Sequence, residues 1–223
     1  MKKIKTGLVL SISLPLISLV LVGIIFAQTN SLEDKVIALD AGHVGDYTGA
    51  IGYCGNNAVY ESAVNKTVRT ELAALLEDQG AIVFLVPQLE TRKERVAAAE
   101  EAGADILISI HHNGSIDKEM DYTQTFITQT KFDKPLALFV HPALVKALGL
   151  PDYGITNSGF GMTVFGDHPA VLTEAYFITN TEAACDYLES QERVQAEVQG
   201  LNKGILDYFL QDSEIDGPLQ KNK

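Results

Sequence analysis

Four side chains in this sequence have the types and placements that chemistry at a metal would need: His43, Glu61, His111 and Glu174. The first three supply two imidazoles and one carboxylate from three separate segments. That is a ligand set which catalytic zinc (Zn2+) uses while keeping a fourth position open for water. In such a site zinc lowers the pKa of the coordinated water and polarises the carbonyl under attack. A second carboxyl must then carry the proton. Glu174 suits that work, because it lies in the apolar stretch Val171–Phe177 with no basic neighbour in sequence, where burial would raise its pKa. Spacing alone leaves the opposite reading open, since His and Glu residues scattered through a chain often share no chemistry.

Each of these residues sits where an element would present it. Ile106–Ile110 is an apolar, β-branched run of a strand buried on both faces, and it ends abruptly in His111, His112, Asn113 and Gly114. Lys35–Asp40 is a second strand, and the small-residue turn Ala41-Gly42 lets the backbone change direction as His43 is presented. Ligands in open α/β sheets bind beyond the carboxyl ends of the strands, which is where both histidines emerge. From Tyr60 to Gln79 the spacing of Val64, Val68, Leu72, Leu75 and Leu76 predicts a helix stopped at Gly80. Glu61 stands on its inward face. A carboxylate in a first turn favours the helix dipole, but an inward one also needs a partner.

The remaining elements follow from pattern. Gly45–Asn57 reads as a Gly- and Asn-rich loop, Ile82–Val86 as a strand, and Thr91–Ala102 as a helix closing at Gly103. Strands alternating with helices define the α/β class. Tyr122–Thr128 reads as an edge or half-exposed strand, and Pro135–Leu148 as a helix interrupted at Pro142. Gly154–Gly161 reads as loop, Met162–Phe165 and Ala170–Tyr176 as the last strands, and Glu182–Leu210 as one helix before a frayed polar tail.

Composition bounds the function. The 223 residues, 46% hydrophobic and 21% charged, suffice for one core and a single domain. A net charge of -12 with no cluster of cations beyond the first ten residues excludes a nucleic-acid partner. Residues 1–30 read as an export segment: Lys2, Lys3 and Lys5 precede an uncharged stretch from Gly7 to Ala27. That stretch is long enough to remain as a membrane anchor, with the basic end inside, although cleavage after Ala27 would also fit. The catalytic domain then spans 31–211, outside the cytoplasm, and 212–223 is the tail. Cys54 and Cys185 could pair there, or be two buried small hydrophobes.

From Val36 to about Phe209 the chain resembles the zinc-dependent N-acetylmuramoyl-L-alanine amidases of bacterial cell walls. The resemblance rests on Leu39-Asp40-Ala41-Gly42-His43, Glu61, Arg95-Val96-Ala97-Ala98-Ala99, Ser109-Ile110-His111-His112-Asn113, and Pro169 through Asn180. It implies a single α/β domain with a twisted mixed sheet of about six strands flanked by helices. It also implies zinc on His43, Glu61 and His111, with Glu174 as catalytic acid and base. The implied partner is peptidoglycan, cut between the lactyl group of N-acetylmuramic acid and L-alanine of the stem peptide. Departures concern detail: His112 stands where the family often has Ala, and reads as lining the cleft or bonding Asn113. Tyr176 brings a phenol where a small residue is common, Glu100 replaces an Asn, and Pro87-Gln88 replaces Thr-Arg. No wall-binding repeat is present, so targeting would rest on the N-terminal segment, and a need for a protein activator is left open. Two other readings stay open: a zinc peptidase or deacylase with the same site, and a non-catalytic wall-binding module. His141 and His168, each before proline, read as turn or helix-start residues, Arg95 as a solvated or salt-bridged face residue, and the tyrosines at 53, 122, 153 and 176 as packing.

Overall fold

The computed structural model describes residues 32–43, 45–159 and 161–215; the expected export segment and the last residues of the tail lie outside them. Among the described residues no helix is long and apolar enough to cross a membrane. The chain runs β1 (Val36–Ala41), β2 (Ile51–Cys54), β3 (Asn57–Tyr60), α1 (Glu61–Asp78), β4 (Ile82–Leu85), α2 (Arg92–Glu101), β5 (Ile106–Asn113) and β6 (Thr123–Ile127). It continues through α3 (Thr130–Leu148), β7 (Asp152–Asn157), a 3-10 turn (Gly161–Thr163), β8 (Ala170–Phe177), α4 (Thr181–Glu189) and α5 (Glu192–Ile215). The main sheet has six strands in the order β4-β1-β5-β8-β6-β7, and β2 and β3 form a separate hairpin. All neighbours in the main sheet are parallel except β6 and β8, so it is mixed as expected.

Alternation along the central strands sorts the side chains between two unequal layers. Ile37 and Leu39 of β1, and Ile106, Ile108 and Ile110 of β5, face the larger core under α1, α3 and α5. Ala38 and Leu107 face a smaller cluster with Val96 and Ala99 of α2 and Met162 of the 3-10 turn. α3 lies close on α5, because Gly200 and Gly204 let the backbones approach: a Cβ on Gly204 would stand 2.5 Å from the Cα of Val140.

Several elements differ from the sequence reading. The Gly45–Asn57 loop contains β2 and leads into β3, whose hairpin lies directly on the backbone after β8: a Cβ on Gly52 would overlap the Ile178 carbonyl. β6 is interior rather than an edge, because β7, formed from the expected 154–161 loop, pairs along its outer side. Met162–Phe165 contributes a 3-10 turn and bends, not a strand. α3 runs through both Pro135 and Pro142. The carbonyl that Pro142 leaves without an intrahelical donor belongs to Leu138, an exposed residue, so solvent can serve it. The expected helix at 182–210 is two helices. Asp186 ends the first and caps the second: its carbonyl accepts from Ser190 and Gln191, its carboxylate from the N–H groups of Glu192 and Arg193, and Gln191 turns the corner at φ 58°. Cys54 of β2 is bonded to Cys185 of α4, with Cα atoms 4.7 Å apart across 131 residues of sequence.

Candidate active site

His43 follows β1 in the left-handed region at φ 67°, a conformation rare for a side chain with a Cβ. The neighbouring contacts hold it there. The Gly42 N–H donates to the Ile110 carbonyl at 2.9 Å, and the Arg95 guanidinium donates to the carbonyls of Ala41 at 3.3 Å and His43 at 3.4 Å. Arg95 is salt-bridged, the second of the two expected alternatives, but buried rather than on an outer face: it pairs with Asp40 at 2.9 Å, and Asp40 in turn accepts from the Ser109 hydroxyl at 2.8 Å. A buried pair of this kind is tolerable only when its remaining donors and acceptors are met, as here.

Glu61 opens α1. Its N–H donates to the Ala50 carbonyl at 3.0 Å, and its Oε2 accepts from the Ala50 N–H at 2.8 Å. This reciprocal pair leaves Oε1 facing the histidines. His43 Nε2 lies 2.9 Å from Oε1 and His111 Nδ1 lies 3.1 Å from it, with the two rings edge to face at 5.0 Å. All three donor atoms lie within 4.8 Å of one another, a group able to hold a metal ion. The backbone has been cleared for them: a Cβ on Gly42 would overlap the His111 ring, and one on Gly49 would overlap Glu61 and His43. Two imidazoles and one carboxylate, with glycines standing back, fit a divalent transition ion. Burial opposes ionisation of Glu61, but bonds from His111 and His43, the His111 charge and the Ala50 N–H outweigh it and hold the carboxyl well below its ordinary range.

The two adjacent histidines of β5 part company by strand alternation. His112 continues the inward set of Ile106, Ile108 and Ile110, while His111 continues the opposite set into the cleft. His112 does not bond Asn113 by its side chain; it stands in the lining of the cleft, as one of the two expected readings had it, while its ring turns inward and is buried against Asn65 and Glu197. Tyr176 packs edge-on against it at 4.3 Å and is fully buried, so the phenol does not crowd the cleft.

Glu174 pairs in register with His111 across β5 and β8, which brings it beside the donor set. Its Oε2 is buried without a hydrogen-bond partner among the described residues. Burial, together with the charges of Glu61 and Glu197, raises its pKa well above the ordinary carboxylate value. The cleft over these four residues has a volume of about 670 Å³, within the range of ligand sites. Phe126, Met162 and Leu172 give it apolar walls, and Tyr47 and Arg92 stand in its lining.

Two other histidines lie away from the cleft. His141, inside α3 rather than at its start, lies 3.0 Å from the Thr125 hydroxyl and 2.8 Å from Asp152, fastening α3 to β6 and β7. His168 is buried just before β8, and burial lowers its pKa. Among the contacts around the site, Asn65 had a local signal, standing one turn after Glu61 on the same helix face. The partners of Arg95 and His112 had none, being 55 and 85 residues away.

Sheet order defines a single domain of the mixed α/β class, with His43, Glu61, His111 and Glu174 brought together at one cleft. A family profile described as N-acetylmuramoyl-L-alanine amidase matches residues 37–207. The chain belongs to that family. It is 32% identical over 185 residues to the uncharacterized protein YqiI of Bacillus subtilis, covering 80% of this chain and 86% of that one. It is 29% identical over 186 residues to the N-acetylmuramoyl-L-alanine amidase LytC of the same organism, covering 81% of this chain but only 36% of LytC. The catalytic domain of CwlV, an N-acetylmuramoyl-L-alanine amidase of Bacillus (Paenibacillus) polymyxa var. colistinus, superposes with a TM-score of 0.70 at 29% identity, over 78% of this chain and 97% of that one.

Proposed function

We propose that the domain hydrolyses the amide between the lactyl group of N-acetylmuramic acid and L-alanine of peptidoglycan, with His43, Glu61 and His111 holding zinc and Glu174 as general base and acid. The observation that carries this reading is the approach of two imidazole nitrogens to one oxygen of Glu61, beside a buried carboxyl, in a member of this family. Bound by that set, zinc would lower the pKa of a water and polarise the amide carbonyl. The residues around it then divide the remaining work. Arg95 and Asp40 keep His43 in its strained backbone position, and Ala50 fixes which oxygen Glu61 turns to the histidines. Glu174 takes a proton from the attacking water and returns it to the nitrogen of the departing L-alanine as the C–N bond breaks. A carboxyl whose pKa is raised by burial serves in both directions. Phe126, Met162 and Leu172 offer apolar walls against which the substrate can rest.

The work is extracytoplasmic on this reading, with residues 1–30 as export signal and membrane anchor. The charge pattern at Lys2, Lys3 and Lys5 supports it, as does the Cys54–Cys185 bridge, which persists in oxidising compartments. The test is mass spectrometry of purified peptidoglycan incubated with the protein, with and without chelator. Chelator-sensitive release of intact stem peptides with a free L-alanine amine is expected. Zinc-loaded protein that releases nothing from the wall but cleaves another amide would move the assignment to a peptidase or deacylase.

A further inference from the structure

Behind the donor set runs a string of buried polar side chains that the reaction does not touch. Glu197 Oε2 of α5 lies 2.9 Å from His112 Nε2, and His112 Nδ1 lies 2.7 Å from Asn65 Oδ1. Asn65 Nδ2 donates to the Gly42 carbonyl at 3.1 Å and to Glu61 Oε1 at 3.4 Å. The backbone N–H of His112 also reaches Glu61 Oε1, at 3.2 Å. Asn65 and Glu197 are 0% exposed and His112 1%, so no solvent competes for these bonds. The orientation of the amide follows from its partners. Its nitrogen faces two acceptors, so its oxygen faces His112, whose Nδ1 must donate. Asn65 therefore grips both the turn that carries His43 and the carboxylate of Glu61, and His112 is what holds Asn65 from behind.

Burying this much polarity gives folding little. An apolar filling of the same space is often as stable as a buried charged pair. What the string does supply is a fixed orientation for Asn65. We propose that His112 is a positioning residue: through the bond from its Nδ1 to Asn65 it sets the placement of Glu61 and of the His43 turn, and so the affinity of the centre for its metal, while its bond to Glu197 serves the fold. The inference rests on the reading of His43, Glu61 and His111 as metal ligands. Partners behind metal ligands, when removed, commonly lower metal affinity by about 10–100-fold.

Two substitutions in the full chain, purified in detergent, separate this role from a structural one. In His112→Asn the amide nitrogen replaces Nδ1, so Asn65 stays held while Glu197 loses its partner. In His112→Gln it replaces Nε2, so Glu197 stays paired while Asn65 is released. Zinc affinity is read by competition with a chromophoric chelator, and the stability of the metal-free protein by thermal melting. The expected orders are opposite. His112→Gln should melt higher yet bind zinc about 10–100-fold more weakly than wild type, whereas His112→Asn should melt lower yet bind zinc nearly as wild type does. Affinities that follow the order of stability, or that do not differ between the variants, would overturn the proposal. Should His112→Asn not survive purification, His112→Asn/Glu197→Gln removes the unpaired charge and should still bind zinc about 10–100-fold more tightly than His112→Gln, an equal affinity overturning the proposal. A wild type that takes up no zinc would overturn the ligand reading and this inference with it; zinc uptake with the wrong order overturns this inference alone.

Discussion

Replacing both cysteines by serine should weaken the fold by an amount that the chain length sets. The bridge joins residues 131 apart in sequence. In the chain-entropy account, closing a loop of that length removes about 17 cal/mol/K from the unfolded ensemble, or about 5 kcal/mol near 25 °C; measured losses are typically ~2–4 kcal/mol. The native side adds little to this, because the hairpin keeps its other ties: the Ala50–Glu61 pair, the Ser62–Thr48 backbone bond and the seat of Gly52 on Ile178. The Cys54→Ser/Cys185→Ser protein and the wild type are compared by urea unfolding followed by far-UV circular dichroism. The variant should lose about 2–5 kcal/mol, and its m-value should rise, because an unfolded chain without the cross-link exposes more surface. Equal stability with an unchanged m-value would refute the reasoning, since the bridge would then not be constraining the unfolded chain.

Three further outcomes are expected. Glu174→Gln should keep its zinc content but lose turnover by roughly 10²–10⁴-fold, measured by atomic emission and by release of stem peptides; wild-type turnover would remove Glu174 from the mechanism. Gly204→Ala should lower stability by about 1–2 kcal/mol, because a methyl 2.5 Å from the Val140 Cα forces α3 and α5 apart by more than the gain in helix propensity offsets; a raised melting temperature would contradict this. Asp133 is buried, which raises its pKa despite the N–H groups of Thr128, Ala170 and Gln129. A raised value means the folded state binds this proton more tightly, so the stabilising contribution is full below the ordinary carboxylate range and is lost as pH rises through the raised value. The stability difference between wild type and Asp133→Asn should therefore shrink with rising pH in a series of thermal melts, and a difference that widens would show the sign to be wrong.

Local pattern made the central strands legible. β1, β5 and β8 are buried on both faces and read as unbroken apolar runs, and α1 and α2 carry clear periodicity and stop signals. The residues brought together in the cleft were legible for the same reason, His43, Glu61 and His111 standing at or near the end of a strong element and Glu174 interrupting an apolar strand. The hairpin β2–β3 was not, because its order comes from a cross-link and a backbone approach, not from its Gly-rich composition. The edge strand β7 takes its order from β6 beside it, and the stop between α4 and α5 comes from Asp186 bonding the next helix. The Arg95–Asp40 and His112–Glu197 pairs escape any local reading, since polar partners so distant in sequence meet only in the finished fold.

The position of β8 bears on the order in which the molecule assembles. It is the last strand in sequence yet lies in the middle of the sheet, between β5 and β6. Until it inserts, β4-β1-β5 and β6-β7 are two half-sheets with no hydrogen bond between them, and each leaves an apolar edge open. The pairings that close them are of long range, so the final step should be slow and cooperative. β8 also carries Glu174, and the partner cysteine at 185 follows it. A chain emerging amino-terminus first therefore brings its carboxyl, its cross-link and its closing strand to the rest together, and has no complete cleft before that moment.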